Sequence, residues 1–301
     1  MYVLEVSSFQ LDDCLNFRSN IAVILNITRD HLNRYDNNID KYIHSKLKLA
    51  IFQKKEDILV YNYDDPILRE GLMKYAIHPQ CIPFSIEKKL HMGAYFKDDK
   101  IWIQSGNKKK FKFLNIKDIL LIGHHNIYNV MASLIVSQIL NIDKKFVINT
   151  ISKFKPMKHR MEYFFHINGI TFINDSKATN VNSVFYALDS IKGPIILIIG
   201  GYDKGNDYHE LIPLLKKKVK AIICLGRKNK KIIKSFEKII DCIEETQSMR
   251  EAVRMAYRFS SYGDCILLSP ACSSFDLFKD YKEKGNKFKQ EVKELFTKKM
   301  K

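Results

Sequence analysis

The chain lacks every cysteine arrangement that would mark a disulfide framework or a zinc site. Its six cysteines, Cys14, Cys81, Cys224, Cys242, Cys265 and Cys272, form no C-x-x-C pair and stand at no zinc spacing with histidine. Most sit in apolar, strand-like runs, where a thiol acts as a small hydrophobe, and this fits a reducing cytoplasm. No apolar run approaches the roughly eighteen residues that a membrane-spanning helix needs. No charged segment followed by a short apolar one marks a signal peptide. No membrane span and a cytoplasmic location are therefore expected. Repeats and low-complexity linkers are also missing. No segment satisfies the phosphate-loop pattern G-x-x-x-x-G-K-[ST]. The near miss is Gly200-Gly201-Tyr202-Asp203-Lys204-Gly205, which is followed by Asn206.

Positive charge is plentiful. The 301 residues carry 50 Lys and Arg against 33 Asp and Glu, a formal net charge of +17. Such a balance suits nucleic acid, anionic lipid or anionic small molecules. The lysines, however, fall in short scattered groups (108–110, 216–218, 298–299) and not on one aromatic-flanked element. Lys, Ile and Asn are all abundant, so a general compositional bias accounts for the charge, and no specific nucleic-acid partner is expected. A nucleic-acid-binding protein would instead show steep salt dependence on duplex DNA. The length suggests two domains of ordinary size, and 46% hydrophobic residues supply ample core.

The pattern along the chain is that of an α/β protein. Strands are expected at Tyr2–Val6, Ile21–Ile27 and Ile58–Tyr61, with short strands or a hairpin at Cys81–Phe84 and Ala94–Ile103. Helices are expected at Ile39–Phe52, after Asp65-Pro66, from Gly123 to Leu140, and over Asp143–Phe154. Lys155-Pro156-Met157-Lys158 breaks the pattern, because proline forces its predecessor out of helical geometry. The domains are accordingly drawn at 1–156 and 157–301. In the second, strands near 169–174, 194–199, 219–225, 239–243 and 264–268 alternate with helices near 181–190, 208–217, 228–238, 247–260 and 286–299. Such alternation implies parallel βαβ units and a doubly wound, Rossmann-like sheet.

Chemistry-bearing residues cluster where strands end. The stretch Phe172–Asn180 reads F-I-N-D-S-K-A-T-N. It packs a carboxylate (Asp175), a cation (Lys177) and two hydroxyls (Ser176, Thr179) just before a helix whose N–H groups favour an anion. Two readings stand at this point: the ligand-facing edge of an open sheet, or an ordinary capped turn. The Gly200–Gly205 turn brings backbone close and adds Lys204. Ser269–Asp276, S-P-A-C-S-S-F-D, repeats the logic with Ser273 and Ser274. Cys272 has no assignable histidine partner and is read as packing. In the first half, Glu5, Asp30 and His31 follow strand runs, where carboxylate and imidazole could hold a divalent cation or simply be solvated.

Six segments, in order, resemble the Mur ligase family, and within it the D-glutamate-adding branch. They are Glu5–Leu11 (E-V-S-S-F-Q-L), Asn26–Tyr35 (N-I-T-R-D-H-L-N-R-Y), Gly123–Asn129 (G-H-H-N-I-Y-N), His159–Glu162 (H-R-M-E), Asn174–Asn180 (N-D-S-K-A-T-N) and Ser269–Asp276. The resemblance implies a partial central ATPase domain with a parallel sheet, followed by the Rossmann-like amino-acid-binding domain. It implies an ATP-dependent amide ligase of peptidoglycan precursor synthesis that adds D-glutamate to UDP-N-acetylmuramoyl-L-alanine through an acyl phosphate. ATP and Mg2+ are the implied cofactors. By motif position Glu5, His31 and a carbamylated Lys46 would serve magnesium, with Lys46, His31 and Lys177 in catalysis. Asn126, Asn129, Arg160 and Asp175 would contact ATP. Lys177, Thr179, Lys204, Ser274 and Tyr281 would hold substrate, Tyr281 standing where the family commonly has Phe.

The departure is at the front. The family carries a uridine-nucleotide domain and a Gly-Lys-Ser/Thr phosphate loop before its Glu-x-Ser-Ser motif, and here that motif begins at Glu5. The chain therefore resembles an N-terminally truncated ligase with a missing N-terminal segment, and a truncated gene, a mis-assigned start or a split protein would all give this sequence. No phosphate release is expected from it alone. A catalytically inactive remnant, or a split-enzyme part that binds D-glutamate, is the competing expectation.

Overall fold

The computed structural model describes residues 1–28, 32–75, 77–104, 111–120 and 123–297. Two compact units emerge, Met1–Phe154 and Lys155–Lys301.

The first unit holds a six-stranded sheet in the order β1-β2-β3-β4-β5-β6. The strands are β1 (Ile21–Ile24), β2 (Ile58–Asn62), β3 (Gln80–Ser85), β4 (Gly93–Lys97), β5 (Lys100–Gln104) and β6 (Phe111–Asn115). The first four run parallel, and β5 and β6 are antiparallel additions. Among the described residues five α-helices accompany them: α1 (Ser8–Asp12), α2 (Ile39–Ile51), α3 (Pro66–Lys74), α4 (His124–Ile139) and α5 (Lys144–Lys153). One core joins Val60, Phe84 and Ile101 of the sheet to Met131 and Leu134 of α4. The other joins Ala22, Ile24 and Leu59 to Leu47 of α2 and Leu68 of α3. Local chemistry sets the helix starts. The Asp65 carboxylate accepts the Leu68 N–H at 2.8 Å, and Pro66 occupies the first turn, where its missing N–H costs nothing.

Two expectations fail here. Residues 2–6 form no strand; Tyr2, Val3 and Leu4 are 95%, 87% and 64% exposed. An apolar, β-branched run becomes a strand only when a neighbour takes up its N–H and C=O groups, and no described strand lies beside this one. In addition β1 stops at Ile24, short of Ile27, because the Ile27 N–H leaves the ladder and donates to the Asp65 carboxylate at 2.8 Å.

The second unit is a doubly wound sheet in the order β11-β10-β9-β12-β8-β7. Its elements are β7 (Glu162–Ile167), β8 (Ile170–Asn174), α6 (Val181–Ser190), β9 (Ile195–Ile199), α7 (Ile212–Lys218), β10 (Val219–Leu225), α8 (Lys230–Phe236), β11 (Ile243–Thr246), α9 (Met249–Phe259), β12 (Cys265–Leu268) and α10 (Tyr281–Thr297). All strands are parallel except β7. Every residue of β9 is buried, as expected of a central parallel strand covered on both faces. One core packs α6, α7 and α8 against Ile195, Leu197 and Ile222. The other packs α9 and α10 against Ile196, Ile198 and Ile266. The run expected as a strand at 239–243 is instead the approach to β11. Ile240 is buried in the core there, but the ladder begins only at Ile243.

Candidate functional site

The register brings the ends of the central strands level. Leu268 pairs with Asn174 on one side and with Ile198 on the other. The three loops that leave these strands, 175–180, 200–207 and 269–280, therefore meet at the carboxyl edge of the sheet, where ligands of open α/β sheets bind. Backbone hydrogen bonds stitch them together. Ala271 N donates to Ala178 O at 2.9 Å, Gly200 N to Pro270 O at 2.9 Å, and Tyr202 N to Ser273 O at 2.8 Å. Ala271 sits at φ 58°, a left-handed conformation that a residue with a Cβ adopts only when its surroundings impose it.

The first loop is held from beneath. Asp175 is 6% exposed; its carboxylate accepts the Met161 N–H at 3.1 Å and the Ser269 hydroxyl at 2.9 Å. Burial pushes its pKa up to about 7, against those two hydrogen bonds and the charge of Arg160. The buried Asn174 amide donates to Glu162 at 2.9 Å and to His159 Nδ1 at 3.0 Å, while its oxygen accepts the Ser176 N–H. A donating amide requires His159 Nδ1 to be unprotonated. Burial, then the charge of Lys289, push the His159 pKa down, in agreement. For Glu162 burial acts upward, but the His159 N–H, the Lys289 ammonium and the Asn174 amide outweigh it and hold the carboxyl below its usual range.

The second loop is shaped by Asp203, whose carboxylate accepts the N–H groups of Gly205 (2.6 Å) and Asn206 (2.9 Å) and the Tyr208 hydroxyl (2.8 Å). Asn206 then donates to Ala271 O at 2.9 Å, docking this loop on the third. Gly201 lies at φ 143°, and a Cβ there would run into Ser273 O; only glycine passes. Cys272 is buried beside Tyr208 and its thiol is pushed up to about 11 by burial, so it is a packing residue and no nucleophile.

In the second unit the residues singled out in the sequence fall as follows. Lys177 is half-buried, its ammonium 5.6 Å over the Tyr281 ring. Tyr281 also stands edge-on to His159 at 5.9 Å. Thr179 lies on the same loop, its N–H bonded to Lys177 O. Lys204 lies on the glycine loop and is exposed. Ser274 is 2% exposed, and its hydroxyl finds no hydrogen-bond partner among the described residues. The loop junction thus leaves a buried hydroxyl available to a ligand. Arg160 is exposed and reaches Asp175 through its charge.

In the first unit Asn126 and Asn129 occupy the opening turns of α4, with Asn129 Nδ2 donating to Asn126 Oδ1 at 3.4 Å. Lys46 lies on α2 with its ammonium 5.3 Å over the Tyr42 ring. Glu5 is exposed on a segment without regular secondary structure, and His31 lies outside the described residues. Among the described residues no group of three His, Cys, Asp or Glu side chains gathers to hold a metal ion. Of the residues that motif position assigns to magnesium, Glu5 and Lys46 fall among the described ones.

Several residues of the site carried no role in the sequence reading: Ser269, His159, Glu162, Asn206 and, on α10, Lys284. For Lys284 a signal existed. Lys284, Phe288 and Val292 recur at helical spacing, and all three are buried, so a lysine occupies a core position of the stripe.

Residues 1–137 match the Mur ligase middle domain, and residues 159–272 match the Mur ligase, glutamate ligase domain. The chain is 48% identical over 294 residues to the UDP-N-acetylmuramoylalanine--D-glutamate ligase of Christiangramia forsetii. It is 42% identical over 296 residues to the protein of that name from Bacteroides fragilis. Each alignment covers 98% of this chain. The chain spans 66% of the length of each of these relatives. Solved structures with the same fold include a pseudomurein peptide ligase type C from Methanothermus fervidus (TM-score 0.67, 19% identity, 92% of this chain and 63% of that one). Another is the MurF ligase from Thermotoga maritima in complex with ADP (TM-score 0.63, 16% identity, 91% and 62%). With both of its units matched to successive domains of one enzyme family, and relatives of that family aligned along nearly its whole length, the chain belongs to the Mur ligases.

Proposed function

We propose that this chain acts in an ATP-dependent amide ligase that adds D-glutamate to UDP-N-acetylmuramoyl-L-alanine in peptidoglycan precursor synthesis. In this reading ATP phosphorylates the terminal carboxylate of UDP-N-acetylmuramoyl-L-alanine. The amine of D-glutamate attacks the acyl phosphate, and a C–N bond forms. The tetrahedral intermediate then collapses with cleavage of the C–O bond to phosphate, and the amine loses a proton. ADP, phosphate and the amide result. Phosphorylation converts a poor leaving oxygen into a good one, and fixed cations offset the negative charge that accumulates. Lys177 and Lys204 would meet the carboxylates of D-glutamate, with Thr179, Ser274 and Tyr281 completing the pocket and Lys177 next to the reacting centre. Arg160, Asp175, Asn126 and Asn129 would contact ATP. The assignment of Glu5, His31 and a carbamylated Lys46 to catalytic magnesium rests on motif position alone.

The observation that best supports the reading is the buried, partnerless hydroxyl of Ser274, stitched through Ser273 and Ala271 to the loops that carry Lys204 and Lys177. A doubly anionic amino acid would satisfy the hydroxyl and both cations at once. Calorimetric titration of the chain with D-glutamate, against L-glutamate as control, tests this. Saturable binding of the D isomer, at least about tenfold tighter than the L isomer, is expected. Equal binding of the two, or none, overturns the proposal.

A further inference from the structure

The second unit contains a charge that its own fold does not explain. Lys284 is 1% exposed, yet no carboxylate among the described residues pairs with it. Its ammonium makes one hydrogen bond, to Gly200 O at 2.6 Å, and lies 5.7 Å over the Phe278 ring. A buried ammonium without a counter-ion is costly, and a methionine of similar length would fill the same space at no such cost. What the lysine adds beyond a methionine is its charge and the hydrogen bond to Gly200.

The position of that bond shows its use. Gly200 opens the loop that carries Lys204, and it has no side chain with which to fix itself. At φ 123°, with a would-be Cβ 2.8 Å from Leu225 O, its peptide is held where only glycine fits. Lys284 lies one turn after Tyr281 on α10, the ring over which Lys177 sits. The Lys284–Gly200 bond therefore ties the first turn of α10 to the glycine loop. Asp276, whose charge acts on Lys284, accepts the N–H of Arg227 just beyond β10. Burial, partly opposed by Asp276, pushes the lysine pKa down to about 8.

We propose that Lys284 is a positioning residue for the amino-acid pocket. Its ammonium clamps Gly200 so that Lys204 and Tyr281 are presented at a fixed separation. This rests on the reading of the pocket as a D-glutamate site. The test compares Lys284→Met and Lys284→Arg with the unmodified chain in three measurements: unfolding midpoint, D-glutamate affinity, and hydrogen exchange of the Gly200 and Tyr202 amides. Lys284→Met removes the buried charge and keeps the volume, so its midpoint is expected to hold or rise. Its D-glutamate affinity should fall about tenfold or more, the size of one charge-assisted hydrogen bond. Exchange at Gly200 and Tyr202 should accelerate by a similar factor. Lys284→Arg, which keeps a donor, should recover part of both losses. A fall in midpoint with unchanged affinity and exchange would overturn the proposal and make Lys284 a packing residue. If the unmodified chain binds no D-glutamate, the pocket assignment falls, and unchanged exchange in Lys284→Met still refutes the clamp while faster exchange upholds it.

Discussion

Replacing Asp175 by asparagine should make the protein more stable, and increasingly so as the pH rises. The carboxylate is buried between β8 and β12, with two hydrogen bonds and a pKa raised from 3.8 to about 7. A folded-state pKa above the unfolded value means that the folded chain holds the proton more tightly. The favourable contribution is therefore complete below about pH 4 and is lost as pH climbs through 7. A shift of this size corresponds to about 4 kcal/mol of penalty once the group is fully ionised, of which about 2 kcal/mol accumulates between pH 5 and pH 7. Asparagine keeps one oxygen for the Met161 N–H and turns its amide toward the Ser269 hydroxyl, which can accept, so both contacts survive without the charge. The assay is urea-dependent hydrogen exchange of amides in Ile170–Asn174 and Cys265–Leu268 at pH 5, 6, 7 and 8. The single tryptophan, Trp102, belongs to the other unit and cannot report this one. The stability gap between Asp175→Asn and the unmodified chain should widen by about 2 kcal/mol from pH 5 to pH 7 and level off above pH 8. A gap independent of pH, or a variant that is less stable at pH 8, refutes the reasoning.

Two further substitutions probe the frame of the site. Lys218 donates to three carbonyls at the end of α6, those of Leu188, Asp189 and Ile191, at 2.8, 2.7 and 2.9 Å. Lys218→Met leaves these helix-end acceptors unsatisfied and should cost about 2–3 kcal/mol in urea unfolding while leaving D-glutamate affinity unchanged. Gly285 has no room for a Cβ, which would collide with Ser176 Oγ and His159 Nδ1 and lie 2.8 Å from Asn174 Oδ1. Gly285→Ala should cost about 1–3 kcal/mol by overpacking. Because it pushes on the loop of Asp175 and Lys177, it should also weaken D-glutamate binding. A loss of stability with intact binding would show that this loop is not the one that holds the ligand.

What the sequence made legible follows from how strongly each segment's neighbours constrain it. Ile195–Ile199 is an unbroken aliphatic run because a central parallel strand is buried on both faces, and a five-residue run of that kind has no other stable place. The β7 strand escaped because it is an edge. Its residues are half-buried or exposed, its pairing with β8 slips between Tyr163 and Phe165, and no alternation survives to be read. The Tyr2–Val6 run misleads for the opposite reason: its composition is that of a strand, but composition cannot supply the partner strand that would satisfy its backbone. At the site the same division holds. Asp175, Lys177 and Ser274 were visible because hydroxyls and charges crowd at strand ends in a few residues. Lys284 showed only as a lysine on the apolar stripe of α10; a lysine in a helix is ordinarily solvated, and the peptide carbonyl on which its role depends lies 84 positions away, where no local pattern records it. The burial of that one ammonium is thus a tertiary fact. Residues of this kind, charged in the sequence and buried in the fold without a counter-charge, are where a reading from motifs alone stops short of the mechanism, and where substitution by an isosteric hydrophobe separates positioning from packing most cleanly.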